Sequence, residues 1–401
     1  MEIRKKGQRQ FLTFATTLAL ALATGKVALA GNGTPINPNS DNVLTVAVFG
    51  DSPYGTTPTD TSQTDATPAF IDSINADPKV DLVLQVGDIH SGKQFCTEAY
   101  DRMIYSLWTA FKNPLIYTPG DNEWTDCHKV GEGGGTYNGA TNQIDYVRDA
   151  QGNLADYAGG NPIANLELIR SIFFANPGYS LGSRKQQVQS QAQYFDPAYP
   201  TDAKFVENVI WMQSKVLFVT INLPGGSNND KDIWYGAPTA SAEQSTEISE
   251  RTDADLRWLD AAFGTAAAYH AEAIVIVAQA DMWDTEKGAA HQTKYEPLVQ
   301  SIASHTTAFG KPVLMFNGDS HTYRSDNPLS PTASCTWELS APCTSVASIH
   351  PAGYNVLNFH RVVVHGSTFP LEWLKLTIDP RANNAPGPNS FGPFTWERIH
   401  S

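Results

Sequence analysis

The chain has 401 residues, of which 41% are hydrophobic and 17% are charged, and its formal net charge is −14. This length and apolar content allow a full buried core. The acidic balance disfavours non-specific nucleic acid binding, so we expect no nucleic acid partner.

The first thirty residues have the three-part order of a secretory signal peptide. Four basic residues near the start precede a largely apolar run, Phe11–Ala23, which is too short to span a bilayer. Ala28-Leu29-Ala30 then gives a small-x-small cleavage site. Cleavage there would remove five basic residues and one acidic residue, so the formal charge of −14 would become −18. We predict a secreted or periplasmic protein with no membrane span after cleavage; a short amphipathic anchor is the less favoured alternative.

Five short apolar runs follow a polar linker. Gly31–Asn42 is rich in Asn, Gly and Pro and is predicted to be that linker. No repeat or boundary divides residues 43–401, which we expect to form a single α/β domain. Each apolar run has the composition of a buried parallel strand. The runs are Val43–Phe49, Leu82–Val86, Leu115–Pro119, Ile274–Ala278 and Val313–Asn317.

Helices are predicted between the first three strands. Thr67-Pro68 is a good cap and first-turn pair for a helix over Ala69–Ala76, and a second helix is predicted over Thr97–Phe111. This β-α-β-α-β order indicates a parallel sheet.

The remaining segments predict a long loop and a second sheet. Residues 126–160 are dominated by Gly, Asn, Asp and Thr and are expected to form a long surface loop inserted in the domain. The tail runs Val356–Val364 and Leu374–Ile378 have no helix between them. We expect them to lie in an antiparallel sheet packed on the first.

The residues that follow the five strands share one chemical character. Gln279 follows one strand, and Gly-Asp pairs follow the other four: Gly50-Asp51, Gly87-Asp88, Gly120-Asp121 and Gly318-Asp319. Ligand sites in open α/β sheets gather beyond the carboxyl ends of the strands. Glycine lets the backbone turn sharply, and aspartate supplies oxygen to a cation. The pattern predicts one polar site built from loops that are far apart in sequence.

In chain order these loops read Gly-Asp, Gly-Asp, Gly-Asp-Asn-Glu, a strand to Gln279, and Gly-Asp-Ser-His ending at His321. This order resembles that of the calcineurin-like metallophosphoesterases, which include purple acid phosphatases. Their pattern is Asp-x-His, Gly-Asp, Gly-Asn-His-Asp/Glu, a later His, and Gly-His-x-His. The resemblance runs from Val43 to His365. It implies a four-layer α/β/β/α sandwich with two packed mixed sheets, a two-metal centre and hydrolysis of phosphate esters.

The resemblance also implies a set of metal ligands. Asp51 and Asp88 hold the places of the first-metal aspartate and the metal-bridging aspartate, and His321 holds that of the final histidine. Asp121 stands where the family has a ligating asparagine, and Asp319 replaces the first histidine of the last pair. Four carboxylates and one imidazole favour one or two Mg²⁺, Mn²⁺ or Ca²⁺ ions over Zn²⁺ or Fe.

Other positions predict residues that act on the leaving group or support the ligands. Asn122 stands where the family has the histidine thought to protonate the leaving group. His90 lies two residues after Asp88 and would share its face in an extended chain, so His90 and Asn122 are the catalytic candidates. Three residues are expected to hydrogen-bond the ligands instead of binding metal: Gln279, Glu123 and Tyr54. Tyr54 has the Gly-Asp-x-x-Tyr spacing of purple acid phosphatases, although their tyrosine belongs to the second motif.

The chain has four cysteines, an even number that suits an exported protein. Two disulfides are expected, and three pairings are possible. We favour Cys96–Cys127 and Cys335–Cys343 over a zinc site, because no Cys-x-x-Cys spacing is present.

Two functions are therefore carried forward as hypotheses. The first is an exported metal-dependent phosphoesterase that hydrolyses small phosphate esters with a metal-activated water. The alternative is a catalytically weak or inactive protein of the same fold that binds a metal, phosphate or a protein partner. Loss of the leaving-group histidine favours the alternative, since general acid catalysis typically contributes about 10²–10⁴-fold in rate.

Overall fold

The computed structural model describes residues 40–284, 286–333, 335–337, 353–368 and 370–400. The predicted signal peptide, most of the linker, and Cys343 with its predicted bond to Cys335 lie outside these residues. Within the described ranges, no helix is both long and apolar enough to cross a membrane.

The first of two mixed sheets contains seven strands. In spatial order they are β15 (Asn384–Gly387), β16 (Ser390–Gly392), β17 (Phe394–His400), β14 (Glu372–Ile378), β1 (Leu44–Phe49), β2 (Val80–Gln85) and β3 (Leu115–Tyr117). Strands β1, β2 and β3 run parallel, as predicted, and β14 pairs antiparallel with β1.

The second sheet contains eight strands around a parallel centre. In spatial order they are β12 (Thr336–Trp337), β11 (Arg324–Asp326), β13 (Phe359–Val363), β10 (Val313–Asn317), β9 (Ala273–Val277), β8 (Val216–Thr220), β7 (Val209–Gln213) and β6 (Gln189–Ser190). Strands β13, β10, β9 and β8 are parallel to one another. A separate hairpin is formed by β4 (Gly135–Asn138) and β5 (Gln143–Tyr146).

Eight helices and four 3₁₀ turns connect the described strands. The helices are α1 (Ser62–Ala76), α2 (Glu98–Trp108), α3 (Pro162–Phe173), α4 (Gln191–Tyr194), the single turn α5 (Gly225–Asn228), α6 (Ala242–Ala268), α7 (Ala289–Gln292) and α8 (Glu296–Phe309). The 3₁₀ turns are Asp126–His128, Val130–Glu132, Pro200–Lys204 and Trp234–Gly236.

Alternating side chains on the strands stack the molecule into four layers. On β1, Val46 and Val48 enter a core shared by the two sheets, whereas Ala47 and Phe49 enter a core beneath α1, α2 and α3. On β9, Val275 and Val277 join the shared core, whereas Ile274 and Ile276 pack with α6 and α8. This α/β/β/α arrangement confirms the predicted fold class.

The tail strands do not form a sheet of their own, so that prediction was wrong. Strand β13 joins the second sheet beside β10, and β14 joins the first sheet beside β1. Leu374, Leu376 and Ile378 of β14 alternate into the core between the sheets. Burial of this apolar face explains why the strand extends the first sheet.

Helix α1 begins earlier than predicted. It starts at Ser62 and contains Pro68, which was expected to open it. Asp60 accepts the Ser62 N–H at 3.0 Å and so holds the first turn. Thr67 does not cap the helix; its hydroxyl donates to the Gln63 carbonyl at 2.8 Å. Pro68 is the seventh residue of α1, so it lies in the helix interior, where its missing N–H removes one i→i−4 hydrogen bond.

The segment 126–160 is more ordered than a surface loop. It contains the β4–β5 hairpin, and Cys127, His128 and Glu132 are buried. The predicted Cys96–Cys127 disulfide is present and ties the start of this segment to the loop before α2. Glycine- and asparagine-rich composition is equally typical of a tight hairpin, which explains the difference.

We predict that replacing both Cys96 and Cys127 with alanine lowers the free energy of unfolding by about 3–4 kcal/mol. The bond joins positions separated by 31 residues, so its loss frees a loop of that length in the unfolded chain. Urea denaturation measures the effect. Dithiothreitol should destabilise the wild type by more than it destabilises the double variant, which keeps Cys335 and Cys343, and equal stability of the two proteins without reductant would contradict the prediction.

Candidate metal centre

The loops after the strands of both sheets meet at one rim of the sandwich. The Asp319 N–H donates to Asp51 Oδ1 at 2.8 Å, which joins the loop after β10 to the loop after β1. Gln279 Nε2 donates to Asp88 Oδ2 at 3.2 Å and to Asp121 Oδ1 at 2.9 Å. The five strand ends that were identified in the sequence are therefore adjacent in space.

Three of the predicted ligands form a compact cluster. One ligand atom from each of Asp51, Asp88 and His321 lies within 4.8 Å of the other two. His321 Nε2 is 3.5 Å from Asp51 Oδ1. Both aspartates are buried, and Asp51 Oδ2 has no hydrogen-bond partner among the described residues. The cluster thus presents two carboxylates and one imidazole at separations that suit a single cation.

Four residues of the site have left-handed backbone conformations. The φ angles are 49° at Asp51, 59° at Asp88, 73° at Asp319 and 58° at His321. Positive φ is uncommon for residues other than glycine and tends to occur at functional sites. These residues therefore make the sharp turns themselves and direct their side chains inward.

The glycines before the aspartates mainly provide space. Of the four, only Gly87 has a positive φ, at 102°, so the expectation that glycine makes the turn holds there alone. A Cβ on Gly318 would lie 2.1 Å from Asp51 Oδ2, and one on Gly120 would lie 2.0 Å from Asp88 Oδ1. Any larger residue would displace these carboxylates.

Asp121 and Asp319 flank the cluster on the side of α5. Asp121 accepts the Gln279 amide, and Asp319 Oδ2 accepts the Asp281 N–H at 3.0 Å. Their other oxygens lie against Gly225, where a Cβ would be 2.3 Å from Asp121 Oδ2 and 2.8 Å from Asp319 Oδ1. The two carboxylates therefore converge on the same glycine.

Tyr54 and Asn122 hydrogen-bond within the cluster. The Tyr54 hydroxyl donates to Asp88 Oδ2 at 2.7 Å and lies 3.3 Å from His321 Nε2. Asn122 Nδ2 is 2.9 Å from the Tyr54 hydroxyl, 3.2 Å from Asp88 Oδ2 and 2.9 Å from the His90 carbonyl. The structure thus places the phenol oxygen among the predicted ligands, although its motif position differs from the family pattern.

The His90 side chain points away from the cluster, contrary to expectation. Nδ1 is 3.1 Å from the Ser91 carbonyl, Nε2 is 3.7 Å from Cys96 Sγ, and the ring packs edge-on against Tyr100. The expectation assumed an extended chain after Asp88, whose left-handed conformation breaks the alternation of side chains. His90 packs against the disulfide and is not placed to protonate a leaving group.

Glu123 supports the loop that carries Asp121. Its Oε1 accepts the Tyr117 hydroxyl at 2.6 Å and the Gly120 N–H at 2.6 Å. The carboxylate is buried and does not belong to the ligand cluster. Its role is to hold the turn after β3.

Burial gives the site unusual electrostatics. It raises the pKa values of Asp51, Asp88 and Asp319 well above their usual range, and neighbouring carboxylates raise them further. Burial likewise raises the pKa of Asp121 to about 7, and it lowers the pKa of His321 to about 4. The aspartates are destabilised as anions, whereas the imidazole is kept neutral. A bound cation would stabilise the aspartate anions, and it requires a neutral imidazole as its ligand.

A buried ion-pair network lies behind the loop Gly318–His321 and was not predicted from the sequence. Arg361 is fully buried on β13; its Nη1 pairs with Asp281, and its Nε pairs with Asp326 at 2.9 Å. Asp281 Oδ2 accepts the Ser320 hydroxyl at 2.8 Å, and its N–H contacts Asp319. The network holds the loop Gly318–His321 in place. An arginine within the apolar strand β13 was the available signal.

Comparison with protein families identifies the chain. A model of the calcineurin-like phosphoesterases matches residues 44–255, just over half of the 401 residues. The chain belongs to the calcineurin-like phosphoesterase family. The matched range includes the loops of Asp51, Asp88 and Asp121 and ends before those of Gln279 and Asp319.

Among solved structures, the chain is similar to a purple acid phosphatase from seeds of yellow lupin (Lupinus luteus). The identity is 13% and the TM-score is 0.41, and the match covers 91% of this chain and 52% of that one. The chain therefore spans about half the length of that protein. No curated protein sequence matches the chain.

Family membership implies a divalent cation, and the cluster fits one. Asp51 Oδ2 is a buried oxygen to which no described residue donates a hydrogen bond, and Gly318 leaves room beside it. Carboxylate oxygens and a neutral imidazole nitrogen are ordinary ligands of divalent metals.

Gly318→Ala should weaken Mn²⁺ binding by at least about tenfold, as is typical when the support of a ligand is disturbed. The added methyl would lie 2.1 Å from Asp51 Oδ2 and would push the carboxylate out of the cluster. Isothermal titration calorimetry measures the affinity.

Gly264→Ala is the matched control, because a Cβ on this α6 residue would meet nothing within 4 Å. It should keep wild-type Mn²⁺ affinity and raise the free energy of unfolding by up to about 1 kcal/mol, since alanine favours helix. Equal Mn²⁺ affinity of the two variants would contradict the predicted role of Gly318.

Without metal, the protein should become less stable as the pH rises from about 4 to about 7. The folded protein keeps protons on Asp51, Asp88 and Asp121 that the unfolded chain has lost, because their folded pKa values are raised. Deprotonation therefore favours the unfolded chain over this range. Calorimetry with EDTA should show a falling melting temperature. Saturating Mn²⁺ should reduce this fall. A melting temperature that rises with pH in the presence of EDTA would refute the prediction.

Proposed function

We propose that the chain is a metal-dependent phosphoesterase that hydrolyses small phosphate esters. The observation that carries the proposal is the Asp51–Asp88–His321 cluster in a member of this family, because Asp51 Oδ2 has no hydrogen-bond partner in the part of the chain that the structure describes. These three residues would hold the cation, with the Tyr54 hydroxyl beside them. The oxygen-rich surroundings favour Mg²⁺, Mn²⁺ or Ca²⁺ over Zn²⁺ or Fe.

A divalent cation held there would act as a Lewis acid that lowers the pKa of water and offsets charge on phosphoryl oxygens. The chain itself determines how an ester reaches the cluster. The His321 side chain is 41% exposed, whereas that of Asp51 is 0% exposed. An ester would therefore approach from the His321 side, and the buried carboxylates would be shielded from bulk water.

The residues around the cluster favour esters with a good leaving group. Asn122 has no acidic proton and already contacts Tyr54, Asp88 and the His90 carbonyl. Burial and the nearby carboxylates raise the pKa of Tyr54, so the phenol keeps its proton. Its hydroxyl donates a hydrogen bond to Asp88. With no strong proton donor among these residues, we infer a preference for aryl esters over alkyl esters.

A catalytically weak or inactive binding protein is the second candidate. The same replacement of the leaving-group histidine by Asn122 favours it, as does the His90 side chain, which points away from the cluster. Such a protein would still bind a divalent cation and phosphate at the cluster. Export is also part of the proposal and is supported by the order of basic, apolar and small residues in positions 1–30.

Metal analysis followed by an ester screen tests the proposal. The purified protein is stripped with EDTA, reloaded separately with Mg²⁺, Mn²⁺, Ca²⁺ or Zn²⁺, and assayed with p-nitrophenyl phosphate and an alkyl phosphate. Turnover of the aryl ester that depends on one of the added metals supports the enzyme. Bound metal without turnover supports the binding protein, and the absence of bound metal contradicts both.

Asp88→Asn should lower metal content and reduce phosphoesterase activity by at least about 10²-fold. Asp88 contacts Tyr54, Asn122 and Gln279 through Oδ2, and the amide keeps its shape while losing the charge. The metal-dependent rise in melting temperature should disappear as well, because that rise reflects binding to the folded state.

Asp101→Asn is the matched control for Asp88→Asn. Asp101 is also buried, its pKa is also raised well above the usual range by burial, and it lies on α2 outside the cluster. The control should keep full metal content and activity. An Asp88→Asn variant with wild-type metal content and turnover would contradict the proposed mechanism.

A further inference from the structure

The amide of Gln279 lies between two carboxylates at the centre of the site. Its Nε2 donates to Asp88 Oδ2 at 3.2 Å and to Asp121 Oδ1 at 2.9 Å. Both amide hydrogens are thus used, and the side chain is fully buried. A group that only donates hydrogens occupies the gap between two oxygens that otherwise suit a cation.

The orientation of this amide is determined by the backbone. Gln279 Oε1 accepts the Gly225 N–H at 2.7 Å. A backbone N–H can only donate, so the oxygen must face Gly225 and the nitrogen must face the carboxylates. Rotating the amide would leave a buried donor unpaired and would place the oxygen against two carboxylate oxygens.

Asp88 presents only one oxygen to the site. Its Oδ1 accepts the Asn122 N–H at 3.3 Å and lies against Gly120. Its Oδ2 faces Tyr54 on the side of the cluster and Gln279 on the side of Asp121. Two cations that shared Asp88 would both need Oδ2, and Gln279 covers one of the two approaches.

We infer that the site binds a single divalent cation at Asp51, Asp88 and His321, and that the Gln279 amide fills the position a second cation would need beside Asp121. This inference rests on the proposed function only in requiring a metal at the cluster. It departs from the two-metal centre that the family resemblance implied. Asp121 then serves as the hydrogen-bond acceptor that holds Gln279 in place.

The stoichiometry of Mn²⁺ tests this inference independently of activity. Full-length wild-type protein is dialysed against a range of Mn²⁺ concentrations, and bound metal is measured by mass spectrometry. Electron paramagnetic resonance then reports whether bound ions are adjacent, because neighbouring Mn²⁺ ions couple magnetically. The wild type should bind about one equivalent and show an uncoupled spectrum.

Gln279→Glu changes only the donor half of the amide. A carboxylate can still accept the Gly225 N–H, but it presents an oxygen to the space between Asp88 and Asp121. The variant should bind about two equivalents and show a coupled spectrum. Gln279→His is a second variant that offers a nitrogen ligand without added charge, and it should also gain the second ion.

Gln292→Glu is the control for burying an extra carboxylate. Gln292 is fully buried on α7, and neither polar atom of its side chain has a hydrogen-bond partner within the described ranges. This variant should still bind about one equivalent. A second equivalent in this control would mean that any buried glutamate recruits an ion, which would overturn the inference.

The outcomes separate this inference from the proposed function. Two coupled ions in the wild type would overturn the single-ion site and leave the phosphoesterase proposal standing. One ion in the wild type and in both Gln279 variants would overturn the role assigned to the amide. No bound ion in the wild type would remove the proposed function together with the inference.

Discussion

Mutual repulsion among buried carboxylates is the constraint on which the site depends. Asp51, Asp88, Asp121 and Asp319 are held together by a backbone that turns left-handed at three of them and by glycines that leave room for their oxygens. Two nearby basic residues are engaged elsewhere: Arg361 pairs with Asp281, and Lys129 pairs with Asp126. The folded chain therefore compensates the charge with protons or with a bound cation, and the raised pKa values express this need.

The same contacts connect the two sheets, so the site is also part of the fold. Asp319 of the second sheet donates to Asp51 of the first, and Gln279 reaches Asp88 across the rim. Arg361 pairs with Asp281, which hydrogen-bonds Ser320 and so stabilises the loop that carries Asp319. A cation at the cluster would strengthen contacts between sheets as well as within a loop. Binding of the proposed cation would therefore be linked to folding stability through one set of side chains.

The sequence predicts the strands and the positions of the acidic residues better than the directions of side chains. Apolar runs ending in Gly-Asp mark the strand ends, and their order suffices to identify the family. Local conformation is less predictable: the left-handed Asp88 turns His90 away from the cluster, and the orientation of Gln279 depends on Gly225, which is distant in sequence. Pairing of the tail strands likewise depends on which apolar face they bury, and no local pattern encodes that.

A second group of potential ligands shows what distinguishes the Asp51–Asp88–His321 cluster. Asp126, His128 and Asp232 also bring ligand atoms within 4.8 Å of one another. There, however, Lys129 Nζ lies 2.5 Å from a carboxylate oxygen of each aspartate, so the chain supplies its own cation. The Tyr235 N–H donates to His128 Nδ1, which leaves the hydrogen of the neutral ring on Nε2 and no lone pair facing Asp232. Proximity of acidic and imidazole groups is thus insufficient to indicate a metal site. Among the described residues, neither an ammonium group nor a hydrogen-bond donor reaches Asp51 Oδ2, and that difference favours the first cluster as the place of the proposed cation.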